Sequence, residues 1–168
     1  MNTYVALLRA VNVGGTGKLP MAELREMCER IGFINVRTYI ASGNVVFASA
    51  LSASEVQTAF EDALAAHVGK PVGVVVLTPE EMATALTENP FADRAPNHTM
   101  AIFLDGAPSA TALDRVTGRL SEDLALGQRV IYVHYGEGMG DSKLKIPAAA
   151  KGTARNMNTV AALVRLSG

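Results

Sequence analysis

Hydrophobic positions along this chain follow two periods, and the changes between them mark its elements. TYVALLRAV (residues 3–11) is almost continuously apolar, which suits a central strand buried on both faces. From Met21 the spacing changes. Met21, Leu24, Met27, Cys28 and Ile31 recur as on one helix face, with Pro20 suited to the first turn and Gly32 to the stop. NVRTYIA (35–41) and NVVFA (44–48) read as the strands of a hairpin about Ser42-Gly43. Ser52 and Glu55 form a capping box that opens a helix with Val56, Phe60, Leu64 and Val68 on its apolar face. PVGVVVL (71–77) is the next buried strand. The order is β-α-β-β-α-β, the split β-α-β arrangement of ferredoxin-like units.

A connecting helix follows, capped by Thr78 with Pro79 in its first turn and Glu81 closing the box, and stopped at Pro90 of ENPF (88–91). The same order then starts again. HTMAIFLD (98–105) reads as a strand. Thr111 with Asp114 opens a helix through Leu113, Val116 and Leu120, weakened by Gly118. QRVIYVHY (128–135) is a strand, GEGMGDSKL turns back as a short second strand, and the chain ends in a helix around Val160, Leu163 and Val164, with no last strand. The expected fold is α+β: two ferredoxin-like subdomains, 1–94 and 95–168, the second incomplete, in one compact chain.

The chain is 168 residues long, 49% hydrophobic and 18% charged, enough to bury a sizeable core. Its apolar runs are too short to span a bilayer, and the N-terminus has no signal-peptide pattern. One cysteine, Cys28, fits a reducing compartment, so the expected location is the cytoplasm, with no membrane partner. The net charge of −1 argues against a dedicated nucleic-acid binder, but the charge is unevenly spread. Residues 1–22 and 142–168 carry seven basic side chains and no acid, against eight basic and sixteen acidic between them. If the ends meet, they make a positive patch on an acidic body; the plainer account is solvated lysines.

RAVNVGGTGKLP (9–20) is the first place to look for chemistry. A phosphate loop needs Gly, four residues, then Gly-Lys-Ser/Thr. Here Leu19 follows Gly17-Lys18 and Asn12 stands where the first glycine belongs, so the magnesium-binding hydroxyl is missing. What remains is a glycine loop with N–H groups free to meet an anion, or a plain connector. Arg9 interrupts an apolar strand on the face of Val5 and Leu7, which calls for an ion pair or a ligand. ASGN (41–44) is explained by hairpin geometry, and Ser42 is in no nucleophile elbow. TARNMN (153–158) places Arg155, Asn156 and Asn158 at a helix start. The asparagines are natural caps there, but a cation is unfavourable unless an anion binds or Arg155 turns away to an acid. Cys28 is core material, and His67, His98 and His134 show no metal-ligand spacing. No cofactor is implied.

YVALLRAVNVGGTGKLPMAELREMCERIGFINVRTYIASGNVVF (4–47), ENPF, SKL (142–144) and TARNMNTV together resemble a bacterial family known as domain of unknown function 1697. The resemblance spans nearly the whole chain. It implies a small cytoplasmic α+β protein with ferredoxin-like subdomains, and no established activity. Its pattern is matched at Arg9, Asn12, Gly14, Gly15, Lys18, Ser42, Gly43, Asn44, Lys143, Arg155, Asn156, Asn158 and Thr159. The chain departs at Met157, where members usually carry Trp, and in a shorter stretch between SKL and TARN. The expectation is an anion-binding protein in which Arg9, Lys18, Lys143 and Arg155 supply charge and the asparagines with Ser42 supply neutral hydrogen bonds. A phosphate-bearing metabolite, a nucleotide or a nucleic-acid backbone would suit, if the three segments converge. An enzyme acting on a phosphorylated or carboxylated molecule, or a protein-interaction module, stays open; no matched position is a carboxylate or histidine to act as base.

Overall fold

A computed structural model describes residues 1–9, 19–40, 43–136 and 142–168. The chain groups into two compact units, Met1–Met82 with Leu163–Gly168, and Ala83–Ala162. The first runs β1 (Asn2–Leu8), α1 (Met21–Ile31), β2 (Ile34–Tyr39), β3 (Asn44–Ser49), α2 (Ala53–Val68) and β4 (Val74–Leu77). Its strands pair antiparallel in the order β2-β3-β1-β4. The β-α-β-β-α-β order read from the pattern is therefore the order of the elements.

Local chemistry accounts for these boundaries. Gly32, at φ 107°, ends α1 in the left-handed conformation that glycine adopts most readily. Ser52 and Glu55 close the capping box of α2 in both directions, at 3.0 and 3.3 Å. Tyr4, Ala6 and Leu8 on one face of β1 meet Leu24, Met27 and Cys28 of α1 and Val56, Phe60 and Leu64 of α2. Phe33 and Phe47 stack at 4.2 Å within that core, with Phe60 edge-on to both. The other face of β1 is buried too, so Val5 and Leu7 are as enclosed as the continuous apolar run requires. Burial pushes the Cys28 thiol up to about 12, which marks it as core rather than nucleophile.

Helix α3 (Pro79–Thr87) carries the predicted box, with Thr78 N–H donating to Glu81 at 2.9 Å and Glu81 N–H to Thr78 Oγ1 at 3.1 Å. Then come β5 (Thr99–Phe103), β6 (Asp123–Leu126), β7 (Val130–His134), β8 (Thr153–Asn156) and α4 (Met157–Ser167). The sheet order β6-β7-β5-β8 is antiparallel throughout and repeats that of the first unit strand for strand.

Two expectations for this half are corrected. The helix at 111–120 does not form; the segment is a chain of turns such as Asp114 N–H to Thr111 O at 3.0 Å. Gly118 sits at φ 70°, and a Cβ there would lie 2.0 Å from the Lys143 carbonyl oxygen, so this glycine lets residues 143–145 pair across Thr117. Leu120 is 85% exposed, where a helix face would have buried it. QRVIYVHY is the strand expected, with β6 before it as its hairpin partner, while the turn-back expected of GEGMGDSKL falls largely on residues 137–141, outside the described residues. TARN is a last strand rather than a helix start, so the second unit falls short in its helices and not in its sheet. Its inner layer joins Leu104, Ile131 and Val133 to Leu113, Leu144 and Ile146 from the irregular segments. Among the described residues no helix is long and apolar enough to cross a membrane.

Candidate functional site

In the first unit, the loops singled out in the sequence depart from one end of the sheet. Leu8 N–H donates to Gly43 O at 2.9 Å, and Arg9 N–H to Gly73 O at 2.9 Å. The last described residue before the glycine loop is thus laced to the hairpin turn on one side and to the approach to β4 on the other. Leu7 pairs with Asn44 in register, and Arg9, two residues on, projects to the same face. Arg9 is half-buried, and its stem lies along Gly73, where a Cβ would meet Arg9 Cδ at 3.0 Å. A glycine before the edge strand therefore makes room for the arginine.

Gly43 has φ 83°, and Asn44 is fully buried with Nδ2 donating to the Tyr39 carbonyl at 2.9 Å. This closes the hairpin, as the turn reading of ASGN requires. Ile40, beside it, holds φ 48° with its side chain 52% exposed, a strained state for a β-branched residue. Asn12, Gly14, Gly15, Lys18 and Ser42 lie outside the described residues.

In the second unit, Arg155 is on β8 opposite Ala101, and it is buried. Its Nη1 donates to Thr153 Oγ1 and to Ala154 O at 2.6 and 2.9 Å, and burial pulls the guanidinium down to about 10. It therefore does not stand at the helix terminus. Asn156 does, with Oδ1 accepting from Thr159 N–H at 2.9 Å as a cap. Asn158 and Lys143 are exposed. Lys143 lies in a segment fixed through its neighbour, since Ser142 Oγ donates to Glu122 Oε2 at 2.6 Å while Leu120 N–H donates to Glu122 Oε1 at 2.6 Å. Those bonds hold the Glu122 carboxyl below the usual carboxylate range.

A family model described as "Protein of unknown function (DUF1697)" matches residues 1–132. The chain belongs to this family. The match ends at Tyr132, so it takes in the whole glycine loop and ASGN and leaves Lys143, Arg155, Asn156 and Asn158 beyond its end. Among solved structures, the chain is similar to "conserved bacterial protein SP0830 from Streptococcus pneumoniae", with a TM-score of 0.81 and 23% identity over 99% of this chain and 98% of that one. That likeness is one of fold. No curated protein matches.

Within the DUF1697 chain, sequence reasoning missed Gly73 and Glu122. Gly73 left a signal, a glycine interrupting VGVVVL, but only the register shows that its partner is Arg9. Glu122 left none, because its partners are a serine twenty residues away and a backbone amide.

Proposed function

We propose that this protein is a small cytoplasmic anion binder whose site lies at the end of the first sheet where β1, the β2–β3 turn and the approach to β4 come together. Its ligand is a phosphate-bearing small molecule or a nucleic-acid backbone. The observation that carries this reading is the lacing of Leu8 to Gly43 and Arg9 to Gly73. It starts the glycine loop and ends the ASGN turn at one place, with a half-buried arginine between them. Arg9 and Lys18 supply charge, and the glycine-rich backbone offers N–H donors of the kind that receive anions. The single buried cysteine suits a reducing cytoplasm.

The test is a calorimetric titration with inorganic phosphate, a ribonucleotide and a short RNA, repeated over a range of salt. Arg9→Gln and Lys18→Gln should each weaken binding about tenfold, as expected for one charge-assisted hydrogen bond. A backbone binder loses affinity steeply and log-linearly with salt, whereas a single phosphate does so far less. Absence of binding by all three at low salt would sink the reading, as would binding that Arg9→Gln leaves untouched in a protein of unchanged circular dichroism.

A further inference from the structure

The second unit holds a row of polar side chains that no motif announced. The register sets Thr99 of β5, His134 of β7 and Asp123 of β6 in line across three strands. Residues opposite one another in antiparallel strands project to the same face, with Cβ atoms about 4.5–5.5 Å apart. The Thr99 hydroxyl donates to the Ala95 carbonyl at 3.1 Å. It has one proton to give, so at its 2.9 Å contact with His134 Nδ1 it must accept. Neutral His134 is therefore the Nδ1–H tautomer, with its lone pair on Nε2. Among the described residues Nε2 has no hydrogen-bond partner, and no buried side-chain nitrogen goes unsatisfied, so Nε2 meets solvent.

Two guanidinium groups flank Asp123, the residue opposite His134 in register. Arg94 Nη1 donates to Asp123 Oδ2, and Arg119 Nη2 lies 3.8 Å from Asp123 Oδ1. The Asp123 carboxylate thus sits between two guanidinium groups. Both arginines are about half exposed, and each keeps further N–H groups for a ligand. Arg94 rests over the Phe91 ring at 5.2 Å, and Phe91 packs against His134 at 6.0 Å. Asn89 Oδ1 accepts from Phe91 N–H at 2.9 Å, so ENPF is the segment that sets both Arg94 and the imidazole wall. The neighbouring Glu122 carboxylate is bonded to Ser142 and Leu120 and also feels the charge of Arg119, whose Nε donates to the Glu122 carbonyl at 2.7 Å.

We propose that Arg94, Arg119 and His134 form a phosphomonoester-binding site in the second unit, separate from the glycine loop. Guanidinium forks match the oxygens of phosphate and of carboxylate alike. The tautomer decides between the two. An Nε2 lone pair needs a donor, and an ionised carboxylate has no proton to offer. A phosphate monoester, with a second pKa near 6, still carries an O–H in part of its population at neutral pH. Once the imidazole is protonated, the same Nε2 donates to the dianion. At neutral pH a phosphate monoester therefore has a partner in either state of the imidazole, and a carboxylate only in the protonated one.

Ring-nitrogen NMR on the full-length protein tests this site by itself. Neutral His134 should show the Nδ1–H pattern, and its Nε2 and Cε1–H signals should shift saturably with inorganic phosphate but little with acetate at equal ionic strength. Arg94→Gln and Arg119→Gln should each weaken that response about tenfold. Arg119→Gln should keep the fold, because exposed ion pairs contribute little to stability. Arg9→Gln should leave the His134 response unchanged, so this site and the glycine-loop site fail separately. An Nε2–H tautomer, a response equal for acetate and phosphate, or a response that Arg119→Gln leaves intact would each overturn the proposal.

Discussion

In the first unit two helices, α1 and α2, bring Leu24, Met27, Val56, Phe60 and Leu64 onto the sheet face of Tyr4, Ala6 and Leu8. In the second, a sheet of the same strand order has Ile131 and Val133 packed by irregular chain, through Leu113, Leu144 and Ile146. One cover is built from periodic apolar faces and stacked aromatic rings. The other is held by a glycine, a backbone bridge and a buried glutamate. The same sheet order therefore tolerates two kinds of cover, with different weak points.

The largest effects should come from the aromatic core. Phe47→Ala removes the ring stacked on Phe33 from a fully buried position and should cost about 3–5 kcal/mol in urea unfolding followed by circular dichroism. Cys28 gives a second readout. Buried, with its thiol raised to about 12, it reacts with thiol reagents only when the helical cover opens, so Phe47→Ala should speed its labelling. A loss well below about 2 kcal/mol would mean that the rings do not anchor this unit.

Gly118→Ala is the counterpart in the second unit. It forces a side chain into φ 70° and against the Lys143 carbonyl, for about 2–4 kcal/mol when strain and overpacking are combined. Exchange should rise at Thr117 and Lys145, which bond to each other in both directions at 3.0 and 2.8 Å. Cys28 labelling should stay slow. Fast labelling would show that the two covers open together and would dissolve the contrast.

The same contrast explains how far the sequence could be read. Ser52–Glu55 and Thr78–Glu81 are spaced three apart, so the chemistry that starts α2 and α3 lies within one turn of chain. β1 announced itself through an unbroken apolar run. The segment 111–120 failed because Thr111, Asp114, Leu113 and Val116 satisfy a helical pattern locally, while the choice against it is made by Lys143 and Lys145 far along the chain. TARN hides its strand for a related reason: Asn156 does cap α4, and that true signal masks the strand just before it. The candidate residues followed suit. Arg9 was found as an arginine in an apolar strand, but its partner glycine needed the register. The row of Thr99, His134 and Asp123 is invisible in sequence because its members are 24, 11 and 35 residues apart and meet only through strand pairing.

Two serines bonded to glutamates then give a smaller, matched comparison. Ser142→Ala removes a bond to a glutamate twenty residues away and should free residues 142–145, with an effect below that of Gly118→Ala. Ser52→Ala removes a local cap and should cost about 1 kcal/mol, seen as fraying of the first turn of α2 with the sheet unaffected. If Ser52→Ala proved the more damaging, the long-range bond would not be what holds the irregular cover.

Acid should separate the units most gently. Glu55 is held below its usual value first by the Ser52 backbone N–H, Glu122 by the Ser142 hydroxyl, and Asp123 by the Arg94 hydrogen bond. A carboxylate with a lowered value in the folded state stabilises it fully above the unfolded value, and that contribution is lost as pH falls through the folded one. The unfolded values are 4.5 for the glutamates and 3.8 for the aspartate, so the loss begins near those values and continues below them as pH falls through the lowered folded ones. Two of the three groups belong to the second unit. One anchors Ser142 and the amide of Leu120, and the other ties Arg94 to β6. The third, Glu55, lies in the first unit at the exposed start of α2, away from the aromatic core of Phe33, Phe47 and Phe60. Hydrogen exchange followed down this interval should therefore rise at Leu120 and along β6 while the interior of α2 stays protected. Exchange that rises first inside α2 would place the acid-sensitive contacts in the helical unit and reverse the comparison.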